Sequence, residues 1–320
     1  MAQKRLAGCA FPVAIGIGVF FLVLFLVSVV TGPMGKNLLG LPEWLIVPKP
    51  HPELPAEVVF HLLGFPITNS IIATWVTMVF LVSFCFVATR KMALVPGRRQ
   101  SLLEFIVEAL LNFCRSVAGE KNGRRFFPII ATIFLFVAFN AWMSLLPGYG
   151  SIIAHTSEGE THLLRGANTD VNTPLAVALI SFFFVEIIGF STLGIGYGKK
   201  FINLSGFVES ARLLSKGKIA AALSSLVFGI INAFVGIIEL VSELIRIVSL
   251  TIRLFGNMTA GEILLLVAGF LMPWLFSLPF YGLELLVGFV QALIFSALTL
   301  IFLTMAVTSH GEHKEESAHH

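Results

Sequence analysis

The chain has 320 residues, of which 57% are hydrophobic and only 12% charged, and its mean hydropathy is +0.92. Soluble domains carry about twice that share of charge, so a soluble globular fold is excluded. A formal net charge of +3 gives no reason to expect a nucleic-acid or acidic partner, because in so apolar a chain the placement of the basic residues matters more than their sum.

Apolar runs of about 18 residues or more recur without alternation, which points to helices and not to a barrel. The expected fold class is all-α, a polytopic membrane protein with about six transmembrane helices. The first run, Ala10 to Val30, follows Lys4 and Arg5. It reads as a retained anchor helix and not a signal peptide, since it outlasts the usual apolar region of about 7 to 15 residues and no A-x-A site follows. The "LAGC" ending at Cys9 resembles a lipoprotein box but has no apolar region before it. Residues 1–33 are assigned to this anchor and 34–66 to an external loop. That loop is rich in Pro and Gly, contains "PKPHPELP", and ends in a short amphipathic stretch at "AEVVFHLLGF". A transmembrane helical domain over 67–308 and a polar tail over 309–320 complete the division.

Within that domain the second span is expected from Ser70 to Ala88, stopping at Arg90 and Lys91. The segment 101–117 carries Glu104 and Glu108 and is flanked by Arg98, Arg99, Lys121, Arg124 and Arg125, so it reads as interfacial. The third span, Phe127 to Leu146, ends at "LLPGYG"; the polar loop after it sets Glu158, Glu160 and Asp170 against the single Arg165. The fourth runs from Pro174 to Leu193 and is followed by a basic surface segment over 199–218. From Ile219 to Val307 the chain is almost wholly apolar, interrupted only around Pro273 and Pro279. Two long, tilted helices in an antiparallel hairpin account for it. With six alternating spans every basic cluster falls on one side, which places that side and both termini in the cytoplasm. The histidines of "HGEHKEESAHH" read as a solvated tail, and Cys9, Cys85 and Cys114 as small hydrophobes without metal-ligand spacing. No metal or cofactor is expected.

The last two helices hold the informative charges: Glu239, Glu243, Arg246, Arg253, Glu262 and Glu284. Each costs about 2.5 to 3.5 kcal/mol at the centre of a membrane helix, so each needs an interior or hydrated setting. Glu239, Arg246 and Arg253 are spaced by seven, about 20° short of two turns, and share one face with Glu243. Glu239 or Glu243 can neutralise Arg246, which leaves Arg253 without an obvious partner. One reversal near Met272 and Pro273 brings Glu262 level with Glu284 and Arg253 level with Gln291. Two carboxylates at one level in low dielectric would share or relay a proton, unless each bonds a neighbouring backbone group. Glu186, alone on the fourth span, is either a satisfied interior acid or part of a proton path.

The stretch "RLFGNMTAGEILL" (253–265), preceded by "IELVSELIRIVSL" and followed by "GFVQALIFSALTLIFL" (288–303), resembles subunit a of F-type ATP synthases. "DVNTPLAVALISFFF" (170–184) and "LLPGYGSI" (145–152) extend the resemblance, which covers the chain from about Glu57 onward. It implies a stator that offers two offset half-channels to a rotor ring of c subunits. Arg253 would be the stator arginine, Asn257 and Gln291 polar neighbours, Glu262 and Glu284 the outer half-channel, and Glu239 and Ser249 the cytoplasmic side. Glu186, Glu243 and Arg246 take second rank. Many members have a His at one of the positions held here by Glu262 and Glu284, and Asn140 stands one residue earlier than the Asn common before "LLP". The implied partners are the c-subunit ring, peripheral stalk b subunits, other ATP synthase subunits, lipid and protons, with no nucleic acid. The implied location is an energy-coupling membrane such as the bacterial inner membrane. A self-contained secondary transporter, with intramembrane Arg and Glu binding its substrate or ion, is the competing reading. No H-E-x-x-H or G-x-S-x-G motif is present, so no catalytic site is assigned to the chain itself.

Overall fold

A computed structural model describes residues 2–33, 42, 49, 55–90, 92–93, 97–146, 148–156, 159–194, 197–198, 201, 205–271, 273 and 277–308. Its helices are α1 (Ala2–Thr31), α2 (Asn69–Thr89), α3 (Arg98–Ser144), α4 (Asn172–Leu193), α5 (Ser205–Ser215), α6 (Ile219–Leu271) and α7 (Ser277–Thr308). The all-helical expectation holds, with little sheet. Five of them, α2, α3, α4, α6 and α7, contain stretches long and apolar enough to cross a membrane, and α1 adds a shorter apolar run over Gly18–Thr31. The reversal between α6 and α7 (Met272, Trp274 to Phe276) and the tail 309–320 lie outside the described residues. Pro279 falls in the first turn of α7, where the missing N–H breaks no intrahelical bond.

The chain forms two compact units. The first comprises Met1–Ala73, Asn140–Thr169 and Gly256–Val290; the second comprises Thr74–Phe139, Asp170–Phe255 and Gln291–His320.

In the first unit the stretch read as amphipathic at "AEVVFHLLGF" is instead a hairpin of β1 (Val58–Leu62) and β2 (Phe65–Thr68). The β-branched and aromatic residues of "VVFHL" favour strand. Leu63 (φ 52°) and Gly64 (φ 86°) make the left-handed two-residue turn that such a hairpin needs. Part of the expected polar loop is likewise a hairpin, β3 (Ile153–Thr156) with β4 (Gly159–His162). The two are stitched together: Glu57 Oε2 accepts the His162 backbone N–H at 3.1 Å, and Asn69 Nδ2 donates to the His162 carbonyl at 3.2 Å.

In the second unit the segment 101–117 and the third span are two helices, as expected, that follow one another without a loop. They join in α3 across a break at Gly119 (φ 78°, ψ 168°), a conformation open to glycine at little cost. The helix after the break starts with the charged stretch Glu120 to Arg125, which precedes the span expected from Phe127. Glu120 accepts from Arg124 at 2.8 Å one turn further on, and across the break it lies 3.4 Å from Arg115. Cys114, Phe126, Ile130, Val185, Ile188, Tyr197, Leu300 and Leu303 form the core beside this corner. Along α6 the buried positions Ala222, Gly229, Gly236, Glu243 and Leu250 recur every seven residues, the period of a single helix-to-helix seam. Helix α4 is tied to α7 by a 2.8 Å bond between the hydroxyls of Ser181 and Thr299.

The corner itself depends on close approach, since a Cβ at Gly123 would stand 2.7 Å from the Arg115 Cα. Backbone cannot step aside as a side chain can. Gly123→Ala should therefore destabilise the chain by about 1–3 kcal/mol, measured as reduced unfolding free energy in mixed micelles, whereas a surface Ala substitution on α2 should change it by less than about 0.5 kcal/mol.

Candidate functional site in the two long helices

In the first unit α6 and α7 meet at an acidic point. A Cβ at Gly261 would fall on the carboxyl group of Glu284, so the absence of a side chain at 261 makes room for that acid against α6. Glu284 is 7% exposed. Glu262, the next residue on α6, forms an ion pair with Arg165, whose Nε lies 3.4 Å from Oε1. Arg165 Nε and Nη2 both donate to Glu262 Oε2 at 3.5 Å, and Nη1 donates to the Pro55 carbonyl at 2.9 Å. The Arg165 side chain is only 12% exposed against 34% for Glu262. Among the described residues no hydrogen bond joins Glu262 to Glu284. The amides of Asn140 and Asn168 and the hydroxyl of Thr259 are buried in the same unit without a hydrogen-bond partner among the described residues.

The second unit holds a different set. Arg246 Nη1 donates to Glu243 Oε2 at 2.8 Å, one turn away, and its guanidinium lies 3.6 Å from the centroid of the Phe302 ring on α7. A half-buried guanidinium is thus paired on one side and stacked on the other. Glu186 on α4 is half-buried and accepts the Tyr197 hydroxyl at 3.2 Å. Burial raises the Tyr197 phenol well above its usual range; the carboxylates of Glu186 and Glu243 add to this and Arg246 opposes it. The phenol therefore stays a neutral donor.

The charges expected on one face of α6 separate by setting. Glu243 is buried, Glu239 and Arg253 are half-buried, and Ser249 and Asn257 are exposed. Gln291 on α7 is 2% exposed. Arg253, unlike Arg246 and Arg165, makes no hydrogen bond or ion pair among the described residues. The part of α6 that precedes it exposes the apolar side chains Val241, Leu244, Ile245, Val248 and Ile252. Two participants escaped the sequence reading. Arg165 lies 97 positions before Glu262, and its only signal was being the lone cation of an acidic loop. Tyr197 lay in "GIGYGKK" and read as a helix stop.

The fold and these charges define a class: an integral, multi-pass helical membrane protein with ionisable groups inside its apolar helices. The family follows from comparison with known proteins. The family model for the ATP synthase A chain matches residues 71–304, and the chain belongs to that family. Among its relatives, ATP synthase subunit a of Gloeobacter violaceus is 35% identical over 245 residues, covering 77% of this chain and 86% of the relative. ATP synthase subunit a of Sulfurihydrogenibium is 33% identical over 243 residues, or 76% and 98% of the two chains. ATP synthase subunit a 3 of Pelobacter propionicus is 33% identical over 230 residues, or 72% and 83%.

The Glu243–Arg246 pair permits a test of what the second unit needs. Glu243→Gln removes the anion bonded to Arg246 and should cost about 3–5 kcal/mol of unfolding free energy in mixed micelles. The double change Glu243→Leu with Arg246→Met should recover most of that loss, because no buried charge then remains.

Proposed function

We propose that the chain is the proton-conducting stator of the membrane sector of an F-type ATP synthase, passing protons to and from carboxylates on a ring of c subunits. The observation that carries this reading is the contrast among three arginines. Arg165 and Arg246 have acids of their own, while Arg253, on a helix that crosses the membrane, has none among the described residues. An intramembrane cation costs about 2.5 to 3.5 kcal/mol unless it faces a partner or water. Membership in the ATP synthase A chain family supports a ring carboxylate as that partner.

In this role Arg253 favours the ionised form of each passing ring acid, so protons leave toward one half-channel and cannot leak straight through. Its grip must be limited. One charge crossing 100 mV gains about 2.3 kcal/mol, whereas a contact pair at 4 Å attracts by about 4 kcal/mol even at an effective dielectric near 20. A hydrated contact at Arg253 satisfies both conditions. Glu262 and Glu284, with Asn257 and Gln291, serve the outer half-channel and the ring face. Glu239 and Ser249 serve the cytoplasmic half-channel, and Glu186, Glu243 and Arg246 support it. The buried polar atoms of Asn140, Asn168 and Thr259 favour water in the outer path, since buried polar groups are ordinarily satisfied by protein or water. The c ring, the b subunits of the peripheral stalk and the bilayer are the expected contacts. The basic clusters put both termini in the cytoplasm, in a bacterial inner membrane.

Two measurements on the assembled complex in proteoliposomes test this. Arg253→Ala should abolish ATP-driven proton pumping while leaving the amount of assembled complex unchanged; retained coupled pumping refutes the assignment. Glu262→Gln combined with Glu284→Gln should slow passive proton conduction at least about tenfold more than either change alone. Small additive effects would argue against a joint role.

A further inference from the structure

We propose that Arg165 is a positioning residue for proton uptake: reaching in from the hairpin side, it fixes the Glu262 carboxylate at the mouth of the outer path. The inference rests on the reading of Glu262 as an entry-path acid, and nothing in that reading assigns Arg165 a part.

Its setting is built. The guanidinium spends one donor on the Pro55 carbonyl at 2.9 Å and turns two nitrogens to Glu262. That division anchors the cation to the segment before β1 while leaving its other edge for the acid. The anchoring segment is held in turn, because Glu57 accepts the His162 N–H at 3.1 Å and the Asn69 N–H bonds the Glu57 carbonyl at 3.0 Å. Arg165 follows β4 by three residues, so the ends of both hairpins converge on it. Burial of its side chain to 12% exposure marks it as part of the packed unit, in contrast to Arg124, which is 64% exposed in its own ion pair.

The charged groups nearest Glu262 are then Arg165, bonded to it from the hairpin side, and Glu284 from α7, whose carboxyl stands against the neighbouring Gly261. Two acids and one cation meet at this point. A proton arriving on Glu262 removes the negative charge that Arg165 binds, which loosens the bond and frees the protonated side chain to turn toward the interior. Loss of the proton restores the bond. The contacts at 3.4 to 3.5 Å are long for a charged hydrogen bond, as suits a link that must open once per proton.

Passive proton conduction through the assembled membrane sector, normalised to the amount of complex, tests this with four variants. Arg165→Gln should slow conduction about tenfold, the lower end of what loss of a charged hydrogen bond gives. Arg165→Lys, which keeps the charge, should recover most of the rate. The double variant Arg165→Gln with Glu262→Gln should conduct no more slowly than Glu262→Gln alone, because Arg165 acts only through that acid. Wild-type conduction in Arg165→Gln, or the same slowing in the Glu262→Gln background, overturns the proposal. Wild-type conduction in Glu262→Gln itself would instead refute the entry-path reading. Should Arg165→Gln fail to assemble, Glu57→Gln keeps both members of the pair while loosening the anchor. It should slow conduction about two- to threefold when Glu262 is present and not at all when it is Gln, and equal slowing in both backgrounds overturns the proposal.

Discussion

A charge inside an apolar helix must find a counter-charge, a hydrogen bond or water, and the long helix α6 is arranged around that requirement. It carries Glu239, Glu243, Arg246, Arg253 and Glu262 through 53 residues that are otherwise largely apolar. They meet it in more than one way. Glu243 and Arg246 solve it within one helical turn, on the buried seam that recurs every seven residues. Glu262 solves it with a cation delivered from a loop. Arg253 has no ion pair or hydrogen bond among the described residues, which is the physical core of the proposed role.

The rest of the fold can be read as support for those solutions. The corner at Gly119 and the close approach at Gly123 hold α3 in place beside the core that contains Tyr197, Leu300 and Leu303. That core seats Phe302, which covers the Arg246 guanidinium. In the first unit the two hairpins have too little apolar surface to be stable alone, and a hairpin outside a larger sheet is marginal in water. Their side-chain stitches through Glu57, Asn69 and Arg165 do what a core does elsewhere. Removing a side chain at Gly261 is a comparable device, since it gives Glu284 a place against α6 that no larger residue would leave.

This arrangement divides stability from function in a useful way. The pair Glu243–Arg246 is buried and short at 2.8 Å, and breaking it leaves an uncompensated charge. The pair Arg165–Glu262 is longer and partly exposed, so it can open at little cost. Arg253 has no acid partner among the described residues. One helix thus carries a fixed pair, a cation without an acid among the described residues and a releasable acid, a division that suits the proposed stator role.

Sequence alone determined the class of fold and most of the helix limits. Apolar runs long enough to cross a bilayer leave few alternatives, because an unpaired backbone group in lipid is too costly for anything but a helix or a closed barrel. The second and fourth spans, expected at Ser70–Ala88 and Pro174–Leu193, fall within one or two residues of α2 and α4. The level meeting of α6 with α7 near Glu262 and Glu284 was also legible, since an antiparallel hairpin has one register once its reversal is placed. The i,i+3 pairing of Glu243 with Arg246 is local and could be read from spacing. Tertiary structure decided what is not local: that "VVFHL" pairs as a strand, that two helices fold against each other at Gly119, that Tyr197 donates to Glu186, and that Arg165 crosses 97 positions to reach Glu262. Helical periodicity reports which residues share a face, but it carries no information about which loop will fold over that face. A lone arginine in an acidic loop finds its partner only when packing brings the loop to the helix.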